Sequence, residues 1–329
     1  MKTFREKKFL VIPTIRDLDF LKSWKKEFKD CHLIVVEDGG KENVNVPNKN
    51  FLSITHFNWK DIDNDLGKNS WIIPRKNAGI RNYGFWKAYQ MGADIILTLD
   101  DDCYPDGDAL IEGHINNLNK KSSDKWFATY PNDKWMNTRG FPYDVRNKFP
   151  VMISHGLWSG ALDLDAKTEI KLPKLLTENK YPQITQFIPK GYYYPMCSMN
   201  LAFRREMTPI IFFPMMGFDP KGESWGFDRY DDIWAGIFSK KIMDHLNFGV
   251  VNGSPFIKHN KASKVEHNHT KEVSGMLTNE VLWKAVEKVN LTAKTPKTCY
   301  LELANKIKFP NKPYFRKLRK AMVIWANLF

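Results

Sequence analysis

Three consecutive carboxylates, Asp100-Asp101-Asp102, close the apolar run Ile95-Ile96-Leu97-Thr98-Leu99. Such a run reads as a buried strand. Side chains alternate along a strand, so a chain that stays extended puts Asp100 and Asp102 on one side and turns Asp101 away. Two hard oxygen donors at the carboxyl end of a strand stand where open α/β sheets bind ligands. They suit Mg2+ or Mn2+, and a divalent ion there neutralises a diphosphate. The alternative is an acidic turn that caps the next helix, since Asp106 and Asp108 follow. Three adjacent acids repel one another, and a solvated turn gains little from them.

Other stretches carry compatible groups. Asp38 follows the run Cys31-His32-Leu33-Ile34-Val35-Val36-Glu37 and precedes Gly39-Gly40. It reads either as a nucleoside pocket, with the carboxylate accepting from a base or ribose, or as a solvated glycine turn. Arg75, Asn77 and Arg81 lie where a helix bearing Phe85, Trp86, Ala88 and Tyr89 opens, which suits a diphosphate or an ordinary basic face. Asp231 and Asp232 precede Ile233, Ile237, Phe238 and Ile242 at helical spacing. They cap that helix, bind sugar hydroxyls or assist proton transfer. His259 is a third metal ligand, a phosphate contact or a surface group. His267 and His269 have no helical ligand spacing and read as a loop.

These groups need a frame. Residues 8–13 (KFLVIP) read as a first strand, 17–29 as a helix and 31–37 as a second strand. A short strand over 51–57, a helical turn over 59–66, the helix opening near Arg81 and the strand before Asp100 complete one nucleotide-binding half. A helix over 106–118 and a strand over 126–130 follow. The last strand, or its edge, is expected over 249–259. No G-x-G-x-x-G is present, so a nicotinamide dinucleotide is not indicated.

The chain has 329 residues, 43% of them apolar and 14% aromatic, enough for a full core. Its net charge of +13 suits an anionic partner such as a nucleotide sugar or a lipid surface. Nucleic acid is not expected, since neither a zinc-ligand spacing nor an RNA-recognition signature occurs. Cys31, Cys103, Cys197 and Cys299 form no C-x-x-C, which suits a reducing, cytoplasmic setting. The apolar run at 9–12 ends at Pro13, too short for a signal peptide, and no stretch is long enough to span a bilayer. Near the C-terminus, Phe315, Leu318, Met322, Trp325 and Phe329 form an amphipathic stripe. Arg316, Lys317, Arg319 and Lys320 crowd the start of that helix, where the macrodipole disfavours cations. Either residues 313–329 touch an anionic membrane, peripherally and from its cytoplasmic face, or the helix docks on the domain or on another subunit. A homo-oligomer is therefore a further expectation.

Several blocks in order carry a resemblance. They are Val11-Ile12-Pro13-Thr14-Ile15-Arg16, Asp100-Asp101-Asp102-Cys103, Arg139-Gly140-Phe141-Pro142 with Arg146, and Ser154-His155-Gly156-Leu157-Trp158. Pro195-Met196-Cys197, Met199-Asn200-Leu201-Ala202-Phe203, Arg229-Tyr230-Asp231-Asp232 with Trp234-Ala235-Gly236, and Asp244-His245-Leu246 continue the set, and His259 with Lys261-Ala262-Ser263 closes it. Together they resemble the reversibly glycosylated polypeptides, also called UDP-arabinopyranose mutases. The resemblance implies a glycosyltransferase-A-like fold: a Rossmann-type α/β mixed sheet flanked by helices, over residues 1–270. Residues 271–329 are expected as a helical extension with the basic tail. It further implies a UDP-sugar substrate and a divalent metal, Mn2+ or Mg2+, at the aspartate cluster; Asp100 and Asp102 are the expected ligands, and the residue reading adds His259 as a third. The implied reaction interconverts the pyranose and furanose forms of UDP-arabinose, with reversible self-glycosylation at an arginine that matches Arg146. Guanidinium is a poor nucleophile at its usual pKa, so Asp231 or Asp232 is expected to assist it. Pro13, Thr14, Arg16, Asp38, Arg75, Asn77, Arg81, Asp101, Arg139, His155, Trp158 and Asn200 are the expected substrate contacts. The alternative is a metal-dependent transferase that passes the sugar to a surface polysaccharide or glycolipid, which the basic tail favours. A scaffold without activity leaves the acids, arginines and glycine turns with no shared purpose.

Overall fold

The segment Lys8–Thr14 forms β1, buried on both faces, as an unbroken apolar run requires. It pairs in parallel with β2 (Cys31–Glu37), which pairs in parallel with β3 (Ser53–Phe57). Helices α1 (Trp59–Leu66) and α2 (Arg81–Gln90) lead into β4 (Ile95–Leu99), parallel to β1 on its other side. Next come β5 (Cys103–Pro105), α3 (Leu110–Leu118) and β6 (Lys121–Ser122). The second half contains β7 (Phe149–Gly160), α4 (Ala166–Lys171), β8 (Gln186–Phe187), β9 (Asn200–Arg204), α5 (Asp231–Leu246) and β10 (Gly249–His259). It ends in α6 (Val265–Glu287), α7 (Pro296–Lys306) and α8 (Pro313–Ala326). The computed structural model describes residues 6–39, 44–47, 50–122, 126, 139–146, 149–160, 162, 164–171, 184–260 and 265–329.

The strand order is β3-β2-β1-β4-β9-β7-β10-β5. β9 runs antiparallel to both β4 and β7, β10 runs parallel to β7, and β5 closes the edge antiparallel to β10. Helices cover both faces, so this is an α/β mixed sheet flanked by helices, as expected. Alternation along β1 assigns Phe9 and Val11 to one core and Leu10 and Ile12 to the other. Gly84 lets α2 lie directly on the sheet, because a Cβ there would stand 2.4 Å from Val11 Cγ1. That close approach carries Arg81, the first residue of α2, beneath the end of β4.

Several elements differ from the sequence reading. The helix expected over 17–29 is a 3-10 turn, Asp19–Trp24, and buries Phe20, Leu21 and Trp24. A three-residue repeat brings positions 21 and 24 to one side, where Trp24 Nε1 donates to the Cys103 carbonyl at 3.0 Å. β10 is an interior strand rather than an edge. His267 and His269 lie in α6, not in a loop. The same helix runs through the expected boundary at 270/271, and α7 and α8 share one core with β1 and α2. Most of the strand expected over 126–130, together with Gly40 and Lys261-Ala262-Ser263, lies outside the described residues.

The tail places its stripe inward. Phe315, Leu318, Met322 and Trp325 are fully buried, with the Phe315 ring 5.8 Å from Trp234 and the Trp325 ring 5.3 Å from Phe212. Two of the crowded cations have local partners: Arg319 Nη2 donates to the Ile307 carbonyl at 2.7 Å, and Lys317 lies over the Trp71 ring. The apolar face that would enter a membrane at 313–329 is therefore already occupied by core. Among the described residues no helix is long and apolar enough to cross a bilayer. Removing a wholly buried aromatic costs its transfer free energy plus a cavity, so Trp325→Ala should lose about 3–5 kcal/mol in urea unfolding. A loss below about 1 kcal/mol would mean that α8 is a detachable appendage.

Candidate active site

The site is built on a buried cation. Asn77 accepts the Gly79 amide at 2.8 Å and so caps a 3-10 turn, Ala78–Ile80, that leads into α2. Arg81 has no solvent exposure. Its Nε donates to the Ala78 carbonyl at 2.9 Å, and its Nη1 to Thr98 Oγ1 at 2.9 Å and the Ser198 carbonyl at 2.7 Å. Its Nη2 pairs with Asp100 Oδ1. A buried guanidinium requires such saturation, since an unpaired charge there is very costly.

The three acids take three different partners. Asp100 faces Arg81 and keeps its side chain 34% exposed. Asp101 turns to the end of β1, where Thr14 Oγ1 donates to its Oδ2 at 2.7 Å and Arg16 grips both of its oxygens at 3.1 Å. Pro13 lies just before, half-buried. Asp102 faces His259, with Nε2 to Oδ2 at 3.7 Å, because β10 pairs His259 with Cys103. The acids sit in the turn between β4 and β5, so strand parity does not govern them: Asp101 does turn away, but Asp100 and Asp102 face separate partners.

Among the described residues no group of three or more His, Cys, Asp or Glu side chains is placed to hold a metal ion. Asp100, Asp102 and His259 lie along one sheet rim, but Asp100 is turned to Arg81 while Asp102 faces His259, so the three expected ligands would have to converge for a divalent ion to bind them together.

Asp231 begins α5 and is 6% exposed. Burial pushes its carboxyl up to about 6, while the charge of Arg81 acts against that rise. Asp232 is half-buried and accepts the Ile233 amide at 2.8 Å, a helix-start contact.

The basic segment is disposed differently from expectation. Asp38 Oδ1 accepts from Trp59 Nε1 at 2.9 Å and from the Lys76 amide at 2.8 Å, and Oδ2 accepts from the Asn77 amide at 3.0 Å. Burial raises its carboxyl, and these bonds oppose the rise. Asp38 thus organises the loop, with Lys76 held at φ 55°. Arg75 pairs with Asp63 and lies 5.2 Å from the Trp59 ring. With Asn77 a cap and Arg81 interior, these side chains do not converge on a common anion.

His155 and Asn200 belong to a buried polar network, not to an open pocket. His155 Nε2 accepts the Cys197 amide at 2.9 Å, which leaves its Nδ1 to donate to Asn252 Oδ1 at 2.7 Å. Asn200 Nδ2 donates to the Leu157 and Pro255 carbonyls, and its Oδ1 accepts from His114 Nε2 at 2.8 Å. His114 Nδ1 then accepts from Ser154 Oγ at 2.8 Å, and Asn117 Nδ2 donates to that oxygen at 3.0 Å. Trp158 is half-buried, with its ring 6.2 Å from that of His155. The sequence reading missed His114 and Asn117; their i, i+3 spacing on α3 is the signal that could have paired them.

Arg139 is exposed in a turn. Arg146 donates from Nη2 to the Phe141 carbonyl at 2.7 Å and lies 3.8 Å from the Tyr143 ring centroid. Its partners among the described residues are therefore a carbonyl and aromatic rings, not Asp231 or Asp232.

The model of a family described as reversibly glycosylated polypeptide matches residues 5–329. UDP-arabinopyranose mutase 1 of Arabidopsis thaliana is 38% identical, over 97% of this chain and 90% of that protein. Probable UDP-arabinopyranose mutase 1 of Solanum tuberosum is 37% identical, over 97% and 88%. A solved glucosyl-3-phosphoglycerate synthase from Mycobacterium tuberculosis superposes at TM-score 0.41 with 10% identity, over 93% of this chain and 82% of that one, too slight a likeness to argue from. The chain belongs to the reversibly glycosylated polypeptide family.

Two measurements test this geometry. Arg81→Met strands Asp100 and three backbone or hydroxyl acceptors, and should cost about 3 kcal/mol in urea unfolding, the low end for a broken buried pair because Asp100 is partly solvated. Burial also pushes His114 and His155 down to about 4. The unfolded chain then binds two more protons than the native one between about pH 6.5 and about pH 4, while Asp231 binds one more in the native state over much of that window. Removing one of the two imidazoles removes one of these unfolded-state protons, so between about pH 6.5 and about pH 5 the urea midpoint of His155→Gln should lose less on acidification than that of the wild type. An unchanged slope in that variant would contradict a neutral His155.

Proposed function

We propose that the chain is an enzyme, a UDP-sugar mutase that interconverts the pyranose and furanose forms of UDP-arabinose. The observation that carries this reading is kinship over 97% of the chain with proteins named UDP-arabinopyranose mutases, among them one 38% identical. The carboxylates grouped at one sheet rim support it. Asp100, Asp102 and His259 would hold Mn2+ or Mg2+, which when bound supplies positive charge against the diphosphate.

The chain's own residues do the rest. Arg81 fixes Asp100 from below, and Thr14 and Arg16 keep Asp101 at the end of β1, beside the nucleotide. Arg146 is the sugar acceptor: the bond from the anomeric carbon to the diphosphate oxygen breaks, a bond to a guanidinium nitrogen forms, and UDP leaves. The nitrogen must shed one proton, and Asp231 takes it; with the anomeric carbon held on nitrogen, the C1–O5 bond opens, O4 closes on C1 and its proton passes to O5, after which the diphosphate oxygen displaces the guanidinium nitrogen and the proton on Asp231 returns to Arg146. A carboxyl raised to about 6 suits a group that gains and loses a proton near neutral pH. Arg146 must first leave the Phe141 carbonyl. The transferase alternative drew on the basic tail, whose apolar face is already buried in the core, and no other observation favours it.

Full-length protein incubated with UDP-arabinopyranose and Mn2+ should yield the furanose nucleotide on chromatography, and Asp102→Asn should abolish the conversion. The intact mass should gain one pentosyl unit, absent in Arg146→Lys. UDP release only when a glycan or lipid acceptor is supplied would overturn the mutase reading.

A further inference from the structure

The turn that delivers Asp231 is gripped from outside by one helix. Arg229 has a left-handed backbone, φ 58°, a conformation that a side chain of this size keeps only where its surroundings impose it. Four residues along α6 impose it. Arg229 Nε donates to Glu272 Oε1 at 3.0 Å, and that carboxylate side chain is only 7% exposed. Lys271 Nζ pairs with Asp228 Oδ2 at 3.2 Å, and Ser274 Oγ donates to the Gly226 carbonyl at 2.8 Å. Gly275 leaves room for the Tyr230 ring, since a Cβ there would stand 2.2 Å from Tyr230 Cδ2. Residues 226–230 are thus held at four points, and Asp231 follows at once. Its carboxyl is faced by Arg81 from α2, by Asp228 from its own turn and by Tyr314 from α8.

A carboxylate buried as deeply as Glu272 is retained at a cost unless its pairing does something. We propose that Glu272 is a positioning residue: by holding Arg229 in its left-handed turn, it sets where the Asp231 carboxyl stands against the reacting sugar. The inference rests on the reading of Asp231 as the proton acceptor. The nucleotide end of the site lies on β1, β4 and β10, whereas the four contacts of this clamp are made with residues 226–230. Loosening it displaces the proton acceptor and leaves nucleotide binding intact, so kcat carries the effect and KM does not.

The test uses full-length Glu272→Gln and Arg229→Gly, assayed with UDP-arabinopyranose and Mn2+, with UDP affinity from calorimetry. Glycine takes the left-handed turn without steric cost but has no tether, so this variant separates the tether from the strain. In both variants kcat should fall about 10- to 100-fold while KM and UDP affinity stay at the wild-type values. Wild-type kcat in a folded variant, whatever its thermal midpoint, makes the clamp merely structural and overturns the inference, as does a rise in KM alone. Asp231→Asn runs in parallel. If it keeps wild-type kcat, the acid–base reading of Asp231 fails, and the inference falls with it for that separate reason.

Discussion

A guanidinium with no solvent of its own governs this site. Arg81 sits beneath the ends of β4 and β9 and can stay charged there only while Asp100, Thr98 and the carbonyls of Ser198 and Ala78 remain in place. The dependence runs both ways. Asp100, Asp101 and Asp102 can follow one another because each faces a separate partner: Arg81, then Thr14 with Arg16, then the His259 imidazole. Without those partners, three like charges at one sheet rim would raise each other's pKa or push the turn open. The acidic rim is therefore a product of the whole sheet. β1, α2 and β10 each contribute a group that the turn requires.

The second half of the chain is bound to the same constraint through packing. Trp234 and Phe238 of α5 are buried with Phe315 and Trp325 of α8 in the core that holds Phe9 and Val11 of β1. The helix that opens at Asp231 is thus fixed against the sheet by the very tail whose charge and periodicity suggest an outward role. A helix with a cationic first turn is unfavourable by itself. It forms here because burying Phe315, Leu318, Met322 and Trp325 outweighs that penalty, at about 1.5–3 kcal/mol for each large apolar side chain.

The sequence told most about strands and least about where a polar side chain points. β1, β2 and β4 were legible because a strand buried on both faces must be continuously apolar, and the acids at the end of β4 were legible because nothing else in the chain resembles them. Orientation was not legible. Arg75, Asn77 and Arg81 look like a phosphate cradle by charge and by their place at a helix start, yet each is directed by a partner distant in sequence or hidden in a cap: Asp63, Gly79 and Asp100. His155 and Asn200 stand in the most distinctive blocks of the chain, and the structure spends them on one another's neighbours in the interior. Buried polar networks of this kind specify a single core arrangement, so a distinctive polar residue can mark the scaffold of a site as readily as its surface. Asp101 fell between these cases. It does turn away, but in a turn rather than a strand, and what turns it is Thr14 and Arg16, which only the fold supplies.

The two carboxylate groups differ in how firmly they are held, and the difference has a chemical use. The acids after β4 stand on the rim of a sheet whose strands are paired on both sides, so their partners can shift little relative to one another. Asp231 instead follows a turn with a left-handed arginine and a glycine-lined seat for Tyr230, fixed by side chains of a helix that comes after it in the chain. The reaction proposed for this site, which breaks and remakes the bond to the diphosphate while the nucleotide stays in place, would need both kinds of support. The leaving group must be held without drift through both passages. The group that exchanges the proton must be placed independently, so that its position can be set without disturbing the diphosphate. A sheet rim supplies the first property and a gripped turn the second.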